Sequence, residues 1–323
     1  MFELLIKNPY FVNTLIVAAS LYILFKAADL LVFGISDYAK KLGLSDYLIG
    51  LVIVAMAASM PEIIASLMGL QYQQSGVLFG AIIGSNMVHV ALALGVLAIV
   101  GGLLGRKVNV ECKILDKALF PMWVMLMLPF LLISDGHLTR PDGVVLVGIF
   151  ALYIMLLWRQ EGTFGKIKKK VLLEKLWRDI FIFVGCLGAL LLAGRWLVFG
   201  AVNLAKLFNL SPYFISLTII GIGTTIPDFA IELRALLRKR EAIGIGDILG
   251  SLAIELVLYF GIVAIFNPLT IDLNSVMIAG IFLMSCITLM LYFINKKIVT
   301  WKDGVLLTAV YLVFLAIEWI KIG

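Results

Sequence analysis

The sequence predicts an all-α membrane protein with ten transmembrane helices, arranged as two inverted five-helix repeats. Of its 323 residues, 63% are hydrophobic and 14% are charged, and the mean hydropathy is +1.10. A water-soluble domain of this size could not carry so apolar a composition. The number of apolar runs, the distribution of basic residues and an internal repeat supply the rest of the prediction.

Ten apolar runs are long enough to cross about 30 Å of hydrocarbon as helices. They cover residues 12–35, 46–70, 76–104, 118–134, 142–158, 179–205, 213–236, 243–266, 275–295 and 303–320. We therefore expect a multi-pass protein of the cell membrane.

The basic residues of the connecting segments are unevenly divided between the two sides. One side has four, at positions 7, 140, 206 and 321. The other side has twenty: two at 40–41, four at 106–117, seven at 159–178, four at 234–240 and three at 296–302. Because Lys and Arg in short loops stay cytoplasmic, both termini are predicted to be extracellular. The excess of positive charge is a topology signal and does not indicate nucleic-acid binding.

The second half of the chain repeats the first with a shift of 166 residues. The stretch "LVFG" at 31–34 recurs at 197–200, "LSDYLIG" at 44–50 matches "LSPYFIS" at 210–216, and "ASMPE" at 58–62 matches "TTIPD" at 224–228. A weaker echo, "DGV", opens the last run of each half at 142–144 and 303–305. Shared hydrophobicity alone does not produce such agreement.

These repeats divide the chain into three parts. Residues 1–160 form the first five-helix repeat, with its motif at 57–89, and residues 179–323 form the second, with its motif at 223–255. Residues 161–178 are a basic cytoplasmic connector. Five spans per half, an odd number, place the two copies in opposite orientations, which is the architecture of many secondary transporters.

Glu62 and Asp228 are equivalent residues of the two halves and lie inside apolar runs. Ionisable side chains at membrane depth are costly and usually functional. Each follows a proline, Pro61 or Pro227, which removes a helical hydrogen bond and frees a carbonyl oxygen. The pair is predicted to converge on one site between the repeats.

The neighbouring polar residues extend this site. Ser59 and Thr225 lie one turn before the two acids. In the following spans, helical spacing places polar residues on one face: Ser85 and His89 in the first half, and Asp247, Ser251 and Glu255 in the second. Carboxylates, hydroxyls and freed carbonyls are the ligands that hard cations such as Ca²⁺ prefer. Glu232, one turn past Asp228, is a weaker candidate for the same site, and the favoured interpretation is that it pairs with an arginine of the adjacent "RALLRKR" stretch.

These motifs resemble the cation/calcium exchanger superfamily, whose ten-helix members carry two inverted repeats with a G-T-S-x-P-E stretch and a G-N-x-x-G-S-N stretch. The corresponding stretches here are "AASMPE" at 57–62, "GTTIPD" at 223–228, "GAIIGSN" at 80–86 and "GDILGSL" at 246–252. The resemblance covers essentially the whole chain. It implies that Glu62 and Asp228 are the central Ca²⁺ ligands, and that Ser59, Thr225, Ser85 and Ser251 contribute to flanking Na⁺ sites.

The sequence departs from the superfamily pattern at the ligand positions. Ala58 and Ala81 replace polar residues, Asp247 replaces an amide, and His89 and Glu255 stand where archaeal sodium/calcium exchangers tend to have Asn and Asp. Fewer neutral polar groups weaken the sodium sites, whereas an imidazole and an additional carboxylate admit a proton-coupled cycle or a different divalent ion. His89, Asp247 and Glu255 therefore join the predicted metal-site residues.

The sequence thus predicts a secondary active antiporter that exports Ca²⁺, or a similar divalent cation, in exchange for Na⁺ by alternating access. An H⁺-coupled divalent antiporter is the alternative, and a cation channel is a more distant one. An enzyme is not expected, since a membrane metalloenzyme would need more imidazole ligands than His89 alone. No cofactor is expected. The expected partners are the transported cations and the lipid bilayer, not nucleic acid, and the chain could act as a monomer.

Overall fold

The computed structural model describes residues 8–41, 55–71, 75–105, 108–109, 115–161, 176–237, 241–270 and 272–321. Within these residues ten helices follow one another, which confirms the predicted ten-helix fold; residues 46–54 of the second predicted span lie outside the described part of the chain. They are α1 (Pro9–Lys41), α2 (Ala55–Ala58 and Met60–Gln71), α3 (Ser75–Met87, Val88–Ala93 and Leu94–Leu103), α4 (Leu115–Leu132), α5 (Arg140–Glu161), α6 (Leu176–Leu207), α7 (Pro212–Ile215, Ser216–Ile220 and Gly221–Leu237), α8 (Glu241–Leu252, Ala253–Tyr259 and Phe260–Phe266), α9 (Leu273–Asn295) and α10 (Trp301–Ile320).

Within the described residues, five helices have the length and apolar composition needed to cross a membrane. These segments are Gly76–Leu103, Arg140–Leu157, Gly244–Phe266, Val276–Asn295 and Trp301–Ile320. The most apolar stretches of α3 and α8 are 83% buried, whereas those of α5 and α10 are 22% and 28% buried. The third helix of each repeat is therefore central, and the fifth is peripheral with a face turned outward.

Two pairs of glycines bring helices of different repeats into close contact. A Cβ added at Gly304 of α10 would lie 2.5 Å from the carbonyl oxygen of Gly95 in α3. A Cβ added at Gly143 of α5 would lie 2.6 Å from the carbonyl oxygen of Gly261 in α8. Small residues allow this close approach of backbones in membrane helices. The third helix of each half thus packs on the fifth helix of the other.

Two short antiparallel strand pairs join the same helices. Strand β1 (Val108–Asn109), after α3, pairs with β4 (Ile298–Val299), before α10. Strand β2 (His137–Leu138), before α5, pairs with β3 (Leu269–Thr270), after α8. No strands were predicted from the sequence, and these two-residue pairings provide a second link between the halves.

The boundaries of the three predicted parts stay a prediction. Helix α5 ends at Glu161 and α6 begins at Leu176, so the end of the predicted connector 161–178 is already helical. Residues 162–175 lie outside the described residues.

Candidate functional site

Local widening of two helices positions the predicted site residues. Val88–Ala93 of α3 and Ala253–Tyr259 of α8 are π-helical, and both segments are almost entirely buried. They contain His89 and Glu255, which are equivalent residues under the 166-residue shift. Single π turns inside α-helices often occur at functional sites. The two predicted ligands lie where the backbone departs from regular geometry in the same way in both halves.

His89 lies between two carboxylates of α7. Its Nε2 is 3.3 Å from Oδ2 of Asp228, and its Nδ1 is 3.2 Å from Oε1 of Glu232. All three side chains are almost completely buried. A neutral imidazole carries only one N–H. Both contacts can be favourable together only if the imidazole is doubly protonated or one of the carboxyls carries a proton.

Glu255 is held from the other repeat by two side chains of α3. Ser85 Oγ lies 2.7 Å and Asn86 Nδ2 lies 2.9 Å from the same carboxylate oxygen, Oε2. The other oxygen, Oε1, is buried without a hydrogen-bond partner. Ser59 of α2 approaches this carboxylate as well, although not with the geometry of an ordinary hydrogen bond. One oxygen of Glu255 is thus fixed by the protein, and the other is left for a ligand.

Asp247 is a fully buried carboxylate with both oxygens unpartnered. It lies within electrostatic range of Asp228, Glu232, Glu255 and His89. Leaving a buried acceptor without a partner costs about 1–3 kcal/mol, and more when it is charged. A cation or a proton is therefore the expected companion of this group of acids.

The remaining predicted ligands are also buried close to these acids in sequence. Ser251 lies between Asp247 and Glu255 on α8, and its Oγ has no hydrogen-bond partner. Thr225 lies one turn before Asp228 and donates its hydroxyl proton to the carbonyl of Gly221, 2.7 Å away, which leaves its oxygen lone pairs free. Ser85 is placed as the donor to Glu255 described above.

The Glu62 side chain lies outside the described residues, although its backbone belongs to α2. Its role as a central ligand stays a prediction. The same holds for the convergence of Glu62 and Asp228 on one ion.

Two residues of the site, Glu232 and Asn86, were not among the predicted ligands. Glu232 contacts His89 through Oε1, and its Oε2 is buried without a hydrogen-bond partner. The interpretation that favoured an arginine partner was wrong because Glu232 lies four residues after Asp228, and this helical spacing already placed it on the same face. Asn86, which orients Glu255, belongs to the "GAIIGSN" motif but was not counted as a site residue.

Among the described residues, no three His, Cys, Asp or Glu side chains are arranged as a ready-made cage for a metal ion. In this conformation His89 occupies the space between Asp228 and Glu232. Cation ligation by these carboxylates would therefore require the imidazole to move or the acids to rearrange.

Ten helices enclose the buried acids of the second repeat and buried polar side chains of the first, Ser59, Ser85, Asn86 and His89. This arrangement is that of a polytopic membrane transporter of cations. The sequence profile of the sodium/calcium exchanger protein family matches residues 12–159 and 179–320. The chain belongs to this family. It is accordingly an exchanger-type antiporter rather than an enzyme.

Individual relatives show the same relationship. The chain is 30% identical to the putative antiporter CaxA of Alkalimonas amylolytica over 273 residues, which are 81% of this chain and 83% of CaxA. Its fold is similar to that of a structure of the sodium-calcium exchanger NCX_Mj soaked with Na⁺ and Sr²⁺, with a TM-score of 0.70 and 22% identity, covering 95% of this chain and 99% of that one. The H⁺/Ca²⁺ exchanger CAX is similar with a TM-score of 0.75 and 12% identity, covering 95% and 86% of the two chains.

Proposed function

We propose that this protein exports Ca²⁺, or a similar divalent cation, across the cell membrane in exchange for Na⁺. One observation carries the proposal: buried oxygen atoms without hydrogen-bond partners lie on helices of both repeats. They are Ser59 Oγ, Asn86 Oδ1, Glu232 Oε2, both Oδ atoms of Asp247, Ser251 Oγ and Glu255 Oε1. Asp228 Oδ2 also belongs to this group, because its 3.3 Å contact with His89 Nε2 does not have hydrogen-bond geometry.

The chemistry of these oxygens favours hard cations. Ca²⁺ takes six to eight oxygen ligands, including carboxylates and neutral oxygens. The hydroxyls of Ser59 and Ser251 and the amide oxygen of Asn86 can coordinate Na⁺, but they do not titrate near neutral pH. The neutral oxygens beside the acids can therefore coordinate a sodium ion, but they would not carry a proton across the membrane.

The negative charge of the four acids exceeds the charge of one divalent cation. Asp228, Glu232, Asp247 and Glu255 together can carry four negative charges, and the basic side chain that the structure records against them is His89. A single Ca²⁺ would leave negative charge in a low-dielectric site, where it is costly. In the Ca²⁺-bound state a proton on His89 or on one of the acids would supply the remaining compensation, and in the other half of the cycle several sodium ions would balance the same charges.

Proton coupling is the second candidate, and His89 favours it. Imidazole is the side chain that changes charge between about pH 5 and 8, and here it lies against two carboxylates at 3.2 and 3.3 Å. A proton shared among these three groups could replace Na⁺ as the driving ion. The same inverted repeats would support alternating access in either case.

The proposed ligands are the acids Glu62, Asp228, Asp247 and Glu255, together with the oxygens of Ser59, Thr225, Ser85 and Ser251. Both termini are proposed to be extracellular. The cluster would then exchange between a cytoplasmic and an extracellular opening as the repeats rearrange.

Uptake into proteoliposomes tests the proposal. Ca²⁺ uptake is measured with a Na⁺ gradient alone, with a pH gradient alone and with neither, and Asp228→Asn serves as the inactive control. Sodium antiport predicts uptake with the Na⁺ gradient alone, whereas proton antiport predicts uptake with the pH gradient alone. Equal uptake under all three conditions would identify a channel, and absence of divalent movement would contradict the proposal.

A further inference from the structure

A small cavity opens on one side of the acidic cluster. Its volume is about 10 Å³, room for roughly one water-sized molecule. The lining comes from α3, α7 and α8 and is apolar except for Glu232; Leu97, Leu236 and Gly244 contribute to it. A buried carboxylate is thus the polar feature of an otherwise hydrophobic cavity.

Glu232 faces both the cavity and the cluster. Its Oε1 contacts His89, which in turn contacts Asp228. Its Oε2 is buried and has no hydrogen-bond partner. The carboxylate therefore connects the cavity to the central acids through one imidazole ring, and it retains an oxygen that no protein group satisfies.

The cavity lies towards one face of the membrane. Leu97 and Leu236 lie beyond His89 and Asp228 on the way to the ends of α3 and α7, and Gly244 lies in the first turn of α8. The segments that follow α3 and join α7 to α8, around residues 106–117 and 234–240, each carry four basic residues. By the charge rule, this is the cytoplasmic face.

The other repeat lacks this carboxylate. The residue equivalent to Glu232 under the 166-residue shift is Ser66, a buried serine of α2. Likewise, Ala81 is the equivalent of Asp247. Because the repeats are inverted, Ser66 lies towards the opposite face from Glu232. The two approaches to the site are therefore chemically unequal.

We propose that Glu232 is an additional divalent-cation ligand that serves only one side of the membrane. It receives the ion in the cytoplasmic cavity and passes it to Asp228 when His89 moves aside. A carboxylate on the cytoplasmic path and a hydroxyl on the extracellular path give the carrier a higher affinity where it loads and a lower affinity where it releases. This inference rests on the proposed function, since it concerns the same transported ion.

The test compares Ca²⁺ affinity at the two faces. Right-side-out and inverted vesicles from expressing cells give the half-saturating Ca²⁺ concentration at each face for wild type and Glu232→Gln. The substitution keeps the shape of the side chain and removes its charge. We expect the value to rise roughly tenfold at the cytoplasmic face, as for loss of one charged ligand, and to stay unchanged at the other. An unchanged value at both faces, or an equal rise at both, would overturn the proposal.

Glu318→Gln is the matched control. Glu318 is also a buried carboxylate, but it lies near the end of α10, towards the other face. We expect both half-saturating concentrations to remain at the wild-type values in this variant. A one-sided rise in Glu318→Gln as large as that in Glu232→Gln would show that any buried acid has this effect, and it would overturn the assignment.

If Glu232→Gln inserts but transports nothing, thiol labelling replaces transport as the measurement. A single cysteine at Leu237, the exposed last residue of α7 beside the cavity residue Leu236, in a variant free of Cys112, Cys186 and Cys286, should react with an impermeant reagent from the cytoplasmic face. Ca²⁺ should protect it when Glu232 is present and fail to protect it in Glu232→Gln. Protection that survives the substitution would overturn the inference. Absence of divalent transport by the wild type would contradict the proposed function instead.

Discussion

His89 and Glu255 are equivalent residues of the two repeats, and each reaches from a π-helical turn into the opposite half. His89 contacts Asp228 and Glu232 of α7, whereas Glu255 accepts hydrogen bonds from Ser85 and Asn86 of α3. One position of the repeat thus carries a base in the first half and an acid in the second. The backbone is repeated, but the charge of the site is not.

Replacing either central acid should abolish divalent transport. Glu62→Gln and Asp228→Asn each remove a hard anionic ligand without changing the size of the side chain. We expect no Ca²⁺ uptake into proteoliposomes above that of protein-free liposomes, while both variants insert and purify as wild type does. Near wild-type uptake by either variant would refute its assignment as a central ligand.

Divalent transport should weaken on acidification because of His89. An imidazolium between Asp228 and Glu232 competes with an arriving cation for the same carboxylates, and acidification favours the charged form of the imidazole. Initial rates of Ca²⁺ uptake should therefore fall as the pH is lowered. The dependence should be flatter in His89→Asn, which cannot become charged. Parallel profiles for the two proteins would exclude His89 from the mechanism and leave the carboxylates as the candidate proton carriers.

Adding a methyl group at the glycine contact between α5 and α8 should destabilise the protein. Gly143→Ala would place a methyl group 2.6 Å from the carbonyl oxygen of Gly261, and such overpacking costs about 1–3 kcal/mol. Gly148→Ala is the matched control on the same helix, because nothing lies within 4 Å of its added Cβ. Thermal unfolding in detergent should show a midpoint temperature below that of wild type for Gly143→Ala and an unchanged midpoint for Gly148→Ala. Equal midpoints would mean that the helices separate without cost.

The termini should face the extracellular side. Single cysteines at Lys168 and Lys321, in a cysteine-free variant, should react with an impermeant reagent from opposite sides of the membrane. The reason is that the side of Lys321 has four basic residues in its connecting segments, whereas the side of Lys168 has twenty. Labelling from the same side would contradict the predicted topology.

The fold could be predicted from the sequence because it depends on features that a sequence records directly. Apolar runs of about 20 residues and a shift of 166 residues were enough for ten helices in two repeats. The glycine contacts were partly visible as well, since Gly95 and Gly261 align and the "DGV" echo contains Gly143 and Gly304. What the sequence did not record is that these glycines meet across the repeats.

The site was predicted less completely, for local physical reasons. His89, Asp247 and Glu255 were recognised because helical spacing places them beside motif residues. Glu232 was assigned to a neighbouring arginine because proximity in sequence was weighed above its position on the helix face. The π-helical turns could not be predicted, because no residue type marks them, and the two-residue strands are too short to show a period.

The third helix of each half packs on the fifth helix of the other half, and this arrangement constrains the order in which the protein can fold. Helix α3 needs α10, which it meets through Gly95 and Gly304 and through the pairing of β1 with β4. Synthesis proceeds from the N-terminus. Helix α3 is therefore made early and cannot pack against α10 until almost the whole chain has been synthesised. Helix α5 waits in the same way for α8. A stop codon that removes only α10 would therefore expose the surface of α3 around Gly95 that α10 normally covers. Truncation at the C-terminus would thus destabilise a helix in the first half of the chain.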